Sequence, residues 1–172
     1  MKATTLLAQQ HKKVRTLFKR LEKGRYEPGP LLTELASDLV AHMAIEHEIF
    51  YPAVQAVDRE LVVEAFEEHA LGEIALKRLL QIDPESESFK ARVTAAMELI
   101  QHHVEEEEKE LFPKVEKKLG DEQLEALGKQ MKARFAEVRA AGFESSVPKG
   151  FARTLADADK KLALKRPKKR AA

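Results

Sequence analysis

The chain has 172 residues and a mass of 19.4 kDa; 44% of the residues are hydrophobic and 34% are charged. This composition is typical of a helical globular protein, and the length fits one domain with an extension. Because the chain contains no Cys, disulfide scaffolds, thiolate zinc sites, iron-sulfur clusters and cysteine catalysis are excluded. Any metal must therefore bind through His and carboxylate side chains.

The net charge of +1 conceals an uneven distribution along the chain. Residues 149–172 carry nine Lys and Arg against Asp157 and Asp159, so the rest of the chain is acidic. This predicts an acidic folded body and a separate basic tail over residues 143–172. No apolar run approaches the length of a membrane span, and residues 1–10 lack the features of a signal peptide, so we expect a cytoplasmic protein without a membrane partner.

Apolar residues that recur every three or four positions predict two helices in the first third of the chain. Helix A carries Leu7, His11 and Val14 on one stripe and ends at Gly24. Helix B covers about residues 31–56, and its inward stripe continues through Glu46, Ile49 and Ala53. Pro52 is expected to bend or stop helix B near its end.

Three more helices follow. Asp58 is a predicted cap for helix C, which runs to the break at Asp83 and Pro84. Helix D passes Pro113 and ends at Gly120, and a further helix covers roughly residues 121–141. The sequence thus divides into a bundle over residues 1–120, an additional helix over 121–142 and the tail.

The four long helices contain an internal repeat. Residues 42–52 align with residues 103–113 so that His, Glu, a large apolar residue and Pro coincide, and His11 of helix A aligns with His69 of helix C at a similar offset. Neither helical hairpin can bury its apolar stripe alone. The predicted fold is therefore all-α, an up-down-up-down four-helix bundle built from two duplicated hairpins.

Each predicted hairpin places one His on its first helix and a His and a Glu, four residues apart, on its second. That spacing brings both side chains to one face of a helix, where they can bind one ion. The candidate metal ligands are His11, His42, Glu46, His69, His103 and Glu107. Ordinary core histidines are the alternative for the four imidazoles, and a solvated helix face is the alternative for the two glutamates.

The charge balance favours a metal. Burial of Glu46 and Glu107 as ions among Leu and Phe costs several kcal/mol each without a compensating cation, and residues 26–58 hold no Lys or Arg. Twofold symmetry then predicts two ions, each with two terminal imidazoles, bridged by the two glutamates. Mixed imidazole and carboxylate ligation suits iron, manganese or zinc, with iron the first choice.

These motifs resemble the hemerythrin-like family, the HHE cation-binding domains, over about residues 4–119. The family pattern is His on helix A, His-x-x-x-Glu on B, His on C and His-x-x-x-Glu on D, and the residues Leu111, Phe112 and Pro113 are also similar to it. The resemblance implies a non-haem dinuclear iron site that meets dioxygen or a related small molecule.

The chain departs from the oxygen-carrying members of that family. Those members place two His four residues apart on helix C, whereas Ala65 and Glu73 flank His69 here. The missing fifth His argues against reversible oxygen carriage. The ligand pattern of this chain instead resembles an intracellular branch of the family with four His and two Glu.

Several neighbouring residues are secondary candidates. Glu108 lies where the carriers have their carboxylate and is expected to replace or accompany Glu107, while Glu73 is an alternative ligand or a partner of an imidazole. His47 and His102 point about 100° away from their neighbouring ligands and are predicted not to bind the metals. Tyr51 and Tyr26 are expected to be packing residues with their hydroxyls at the surface, and a position in the pocket is the alternative.

Three functions are consistent with this sequence. The first is a dinuclear iron protein that binds or senses dioxygen or a related small ligand. The second is an enzyme of the same fold acting on peroxide or dioxygen. The third is an adaptor with a structural metal, in which the basic tail contacts nucleic acid or an acidic partner. Ferritin-like chemistry is disfavoured because no His has a Glu three residues before it.

Overall fold

The structure is a computed structural model that describes residues 1–143, and within them it contains helices and no strand. The basic tail was predicted over residues 143–172, and all of it except residue 143 lies outside the described residues. The α-helices are α1 (Ala3–Lys23), α2 (Pro28–Ile45), α3 (Tyr51–Val54), α4 (Arg59–Leu80), α5 (Phe89–Glu106) and α6 (Phe112–Ala141). The all-α fold class is confirmed.

The helix ends follow local sequence signals. Helix α1 ends at Gly24, whose φ of 59° lies in the left-handed region that glycine adopts without strain. Helix α2 begins at Pro28, three residues earlier than predicted, because proline is well suited to the first turn of a helix. At the start of α4 a carboxylate oxygen of Asp58 accepts a hydrogen bond from the backbone N–H of Leu61 at 3.2 Å.

Replacement of Asp58 by Ala is expected to lower the free energy of unfolding by about 1 kcal/mol, because the first turn of α4 loses its cap. The ion pair between Asp58 and Lys114 at 2.8 Å is exposed and adds little. Asp58→Asn is the matched control, since Asn keeps the capping acceptor and loses the charge. Urea unfolding of both variants distinguishes the two contributions; equal losses in both would contradict the capping account.

Two π-helical turns interrupt the long helices. They cover Glu46–Phe50 and Glu107–Leu111. In each turn a backbone N–H bonds five residues back, from Tyr51 to Glu46 and from Phe112 to Glu107. Such turns are rare and occur frequently at functional sites.

The first π turn corrects the predicted register of helix B. A regular α-helix would place Ile49 and Ala53 inward, but Ile49 is only half-buried and Ala53 is exposed. The extra residue in the turn instead buries Phe50, Tyr51 and Val54. The expectation that the Tyr51 hydroxyl reaches the surface is wrong for the same reason, because the π turn rotates this side chain into the core.

Four long helical segments form the bundle. Helix α1 packs on α2 and α5, and α4 packs on α5 and α2, which closes the four-helix arrangement. Helix α6 continues the direction of α5 and leaves helical geometry at Gly120, where φ is 76° and ψ is 172°. The division of the chain at this residue, and the origin of the bundle by duplication, remain predictions.

Beyond Gly120, α6 packs on α1 and α2. It approaches the N-terminus closely at Gly128, where a Cβ atom would overlap the main chain of Met1 and Ala3. Within residues 1–143 no helix combines the length and the low polarity needed to cross a membrane.

Two apolar clusters fill the bundle, one above the other. The first includes Leu7, Ile45 and Phe50, and the second includes Val14 and Leu39. On each of the helices α1, α2 and α4, and on α5 with the π turn that follows it, a histidine lies between the residues that belong to one cluster and those that belong to the other. The plane between the clusters is therefore polar, and this plane holds the candidate site.

Candidate metal centre

All six predicted ligands converge in this plane, and each is almost inaccessible to solvent. Their exposures are 1% for His11, 4% for His42, 0% for Glu46, 4% for His69, 5% for His103 and 2% for Glu107. The bundle therefore brings together the residues that the sequence singled out. They fall into two groups, and within each group the ligand atoms lie within 4.8 Å of one another. One group is His11, His42, Glu46 and Glu107, and the other is Glu46, His69 and His103.

The imidazoles form two pairs. The Nε2 atoms of His11 and His42 are 3.2 Å apart, and those of His69 and His103 are 2.9 Å apart. Each pair joins two consecutive helices of the bundle, α1 with α2 and α4 with α5. All four Nε2 atoms thus point to the centre.

The two carboxylates lie between the pairs. Glu46 Oε2 is 3.2 Å from His42 Nε2 and 3.4 Å from His69 Nε2. Glu107 Oε2 is 3.4 Å from His11 Nε2 and 3.7 Å from His103 Nε2. Each carboxylate therefore approaches one imidazole of each pair, which is the arrangement needed to bridge two cations.

The outward Nδ1 atom of every imidazole has its own hydrogen-bond partner. The partners are Glu108 for His11 at 2.9 Å, Gln10 for His42 at 2.8 Å, His47 for His69 at 2.8 Å and Glu68 for His103 at 2.9 Å. The carboxylate oxygens can only accept, so Nδ1 of His11 and His103 donates. Partners of this kind fix the ring orientation and tautomer of metal-binding histidines.

This hydrogen bonding favours metal binding at the centre. A neutral imidazole that donates from Nδ1 has only a lone pair on Nε2. When both imidazoles of a pair are in this form, their Nε2 lone pairs, 2.9 to 3.2 Å apart, repel each other unless a cation lies between them. The carboxylates also require a compensating cation, because both oxygens of Glu46 and Oε2 of Glu107 are buried without a hydrogen-bond donor.

The environment shifts the pKa values of the two glutamates in opposite directions. Burial raises the pKa of Glu46 well above its usual value, and the charge of Glu107 raises it further. Burial acts in the same direction on Glu107, but hydrogen bonds from His11 and Tyr51 and the charge of His103 outweigh it and lower the pKa. The pair therefore resists holding two negative charges without a compensating cation.

Two of the imidazoles, His42 and His69, are held in the neutral form. Burial lowers the pKa of His42 and His69 well below the usual value, and the other imidazoles lower it further. Burial also lowers the pKa of His11, but the carboxylates of Glu107 and Glu108 outweigh it and the pKa is raised. At neutral pH the site thus offers unprotonated nitrogen at His42 and His69, which is the form that binds metals.

Tyr51 lies at the edge of this site. Its buried hydroxyl donates to Glu107 Oε1 at 3.0 Å and is 3.4 Å from His69 Nε2. The pKa of this phenol is raised by burial and by the charges of Glu107 and Glu46, so it keeps its proton. The site therefore contains one buried proton donor in addition to the six predicted residues.

The secondary candidates take different positions. Glu108 accepts from His11 and forms an ion pair with Arg15 at 3.0 Å, so it orients an imidazole. Glu73 pairs with Lys77 at 3.3 Å and belongs to neither central group. His47 contacts His69 from outside, as a partner of its Nδ1.

A small apolar cavity adjoins the imidazoles. It has a volume of about 30 Å³, and all four site histidines line it. The rest of its lining is mainly aliphatic and includes Leu39, Met43, Gly72 and Leu76. A cavity of this size holds one or two atoms of water size. Met43 and Leu76 also line a larger groove of about 360 Å³ between α2 and α4.

The sequence analysis did not identify Gln10 or Gly72, and it favoured a surface position for the hydroxyl of Tyr51. A sequence signal existed for Tyr51: two consecutive apolar residues precede a proline in both repeats, at Phe50 and Tyr51 and again at Leu111 and Phe112. Adjacent apolar residues are also buried together in regular helices here, such as Leu6 and Leu7 in α1, so the signal lies in the repetition of the pair before proline. Gln10 and Gly72 carry no such signal.

The fold and the site define a helical bundle with a buried His and Glu cluster suited to cations. The family "Hemerythrin HHE cation binding domain" matches residues 2–115. A crystal structure of a Hemerythrin HHE cation binding domain-containing protein from Mycobacterium kansasii is similar, with 26% identity and a TM-score of 0.75. The similarity covers 89% of this chain and 98% of that one.

A "DNA nickase" of Nostoc sp. is also similar, with 27% identity over 143 residues. That alignment covers 81% of this chain, which spans only 40% of the length of the Nostoc protein. The family match covers well over half of the chain. This protein belongs to the hemerythrin HHE cation-binding domain family, and the resemblance found in its sequence is confirmed.

Proposed function

We propose that His11, His42, Glu46, His69, His103 and Glu107 hold a dinuclear non-haem iron centre that binds or senses dioxygen or a related small ligand. The observation that carries this proposal is the pair of opposed imidazoles at each end of two buried carboxylates. Both oxygens of Glu46 and Oε2 of Glu107 lack a hydrogen-bond donor. His11 and His42 would hold one ion, His69 and His103 the other, and the glutamates would bridge them.

The donor set favours iron over the alternatives. Six ligands shared between two ions leave open coordination positions, which suits iron and manganese more than tetrahedral zinc. Two irons would supply reversible electron transfer to a small oxygen-containing ligand. The wall of the adjoining cavity is mainly aliphatic, and its volume of about 30 Å³ suits ligands of a few atoms.

Metal analysis tests this proposal. We expect about two irons per chain after iron-replete expression or anaerobic reconstitution, with the absorption spectrum of a ferric pair in air and a change on addition of azide. Retention of less than about one iron per chain after reconstitution would contradict the dinuclear centre. A colourless protein with zinc in its place would contradict the choice of iron.

One observation favours the enzymatic alternative. The buried hydroxyl of Tyr51 lies within hydrogen-bond distance of Glu107 and beside His69, and it keeps its proton at neutral pH. A positioned proton donor of this kind assists the cleavage of peroxide, because the departing oxygen must be protonated. We therefore retain a peroxide-consuming enzyme as the second candidate.

Replacement of Tyr51 by Phe tests this second candidate. In the iron-loaded protein we expect a loss of peroxide turnover of about 100-fold or more, since the proton donor is removed while the metal ligands remain. Tyr26→Phe is the control, because Tyr26 is half exposed and stacks with Arg20 away from the site. If the wild-type protein turns peroxide over no faster than free iron, the enzymatic function is contradicted.

A role with nucleic acid depends on residues 149–172. The support for it is the basic charge of this segment and the similarity of 81% of this chain to a Nostoc protein named for DNA nicking. Deletion of residues 149–172 should abolish retention on duplex DNA, with a salt dependence typical of phosphate contacts. Unchanged retention of the truncated protein would remove the segment from this role.

A further inference from the structure

A second group of potential ligands lies on the outer face of α4 and α5. His102 Nε2 is 3.5 Å from Glu68 Oε1 and 3.5 Å from Glu106 Oε1. One ligand atom from each residue lies within 4.8 Å of the others. The His102 side chain is 63% exposed, so water and ions reach this group freely.

The spacing on α5 repeats that of the buried site. His102 and Glu106 are four residues apart, as are His103 and Glu107, so this helix carries two adjacent pairs of the same kind. The pairs are rotated by about 100° around the helix axis, and one faces the core while the other faces solvent. His102 was predicted not to bind the buried metals, and its position outside the central groups leaves its role open.

The charges around this group favour a cation. Glu64 and Glu110 lie close enough to Glu106 to act on it electrostatically, and both add negative charge. Among residues 1–143, Glu68 and Glu106 form ion pairs with histidine but with no Lys or Arg. A surface with this surplus of carboxylates concentrates counter-ions.

The third ligand is held in place by the buried site. Glu68 is only 11% exposed, and its Oε2 accepts from His103 Nδ1 at 2.9 Å. This bond directs the other oxygen, Oε1, to His102. A carboxylate that is already fixed loses less rotamer entropy when it binds an ion.

We propose that Glu68, His102 and Glu106 form a surface site for one divalent metal cation, separate from the six-residue centre. One imidazole and two carboxylates are a ligand set for Mn²⁺, Fe²⁺ or Zn²⁺, with water at the remaining positions. Glu68 is common to the two sites, as a ligand of the outer cation and as the Nδ1 partner of a central histidine.

Binding of Mn²⁺ to protein whose buried centre is filled with iron tests this proposal. The free Mn²⁺ signal in electron paramagnetic resonance measures how much of the ion is bound. We expect one additional ion per chain in the wild-type protein, and we expect His102→Ala and Glu106→Gln each to weaken its binding by about tenfold or more. Glu98→Gln, an exposed change of the same charge on the same helix, should leave the affinity unchanged.

Two results would overturn the proposal: no additional Mn²⁺ on the wild-type protein, or wild-type affinity in His102→Ala. Both variants alter exposed or partly exposed side chains, and circular dichroism checks that they fold. If the buried centre took up no iron, Mn²⁺ would bind there instead. The bound Mn²⁺ would then be lost in Glu46→Gln and retained in His102→Ala. Failure of the dinuclear proposal is thus distinguishable from failure of the surface site.

Discussion

Replacement of Glu46 by Gln is expected to remove metal from both halves of the centre and, at the same time, to stabilise the protein without metal. The carboxylate lies close to one histidine of each pair, so its loss would deprive both ions of the proposed centre of a ligand. A neutral amide also removes a buried carboxylate with no hydrogen-bond donor. We expect iron content to fall below one per chain and the free energy of unfolding of the metal-free protein to rise by about 1–3 kcal/mol.

The gain in stability should depend on pH. The pKa of Glu46 is raised in the folded state, so the folded protein binds this proton more tightly than the unfolded chain does. The stabilising contribution is complete below the ordinary pKa of a glutamate and is lost as the pH rises through the raised value. The advantage of Glu46→Gln over the metal-free wild type should therefore grow with rising pH across that window.

Glu48→Gln is the matched control for this experiment. Glu48 belongs to the same π turn but is exposed and pairs with Arg134 at 2.7 Å. Its replacement should leave iron content unchanged and alter stability only slightly. Iron content measured by mass spectrometry and urea unfolding after chelation give the two readouts. Retention of two irons in Glu46→Gln would contradict the bridging role.

Larger side chains at position 72 are expected to affect the stability of the protein and its affinity for a small ligand in different ways. Gly72 lies in the interior of α4, three residues after His69, and lines the cavity beside the imidazoles. A Cβ at this position would have no atom within 4 Å, so the space is open. Because glycine is a poor helix former, Gly72→Ala should raise the free energy of unfolding by about 0.5–1 kcal/mol.

Gly72→Val places more carbon in the same cavity. If the small ligand occupies this space, the azide affinity of the iron-loaded protein should fall by about tenfold or more, while iron content stays the same because Gly72 is not a ligand. Ala70→Val introduces the same side chain at an exposed position of α4 and serves as the control. Wild-type azide affinity in Gly72→Val would show that the ligand binds elsewhere.

The stability gain from Gly72→Ala bears on why glycine occurs in this helix. A helix interior that retains glycine where alanine fits gives up stability. The position of Gly72 against the cavity provides a functional reason for that loss, since a methyl group there would reduce the room beside His69.

The main features of the site could be predicted from the sequence because they depend on helical periodicity. A stripe that repeats every three or four residues fixes which residues face the core, and His11, His42, His69 and His103 all fall on such stripes. The two His-x-x-x-Glu motifs place their side chains on one face regardless of the partner helices. All four imidazoles and both carboxylates are buried together in the structure.

The details beyond that periodicity could not be predicted in the same way. The π turns at Glu46 and Glu107 shift the register by one residue, and this shift buries Tyr51 and exposes Ala53. The cost of such a turn is recovered only through packing against other helices, which a single-helix pattern does not contain.

The sequence by itself determined the helical class, the family and the six inward-facing groups, because each follows from spacing along one helix. Only the tertiary structure decided how the imidazoles pair, which partner each Nδ1 atom receives, and where the cavity and Tyr51 lie. These properties depend on distances between side chains of different helices. Such distances are set by the packing of the whole bundle.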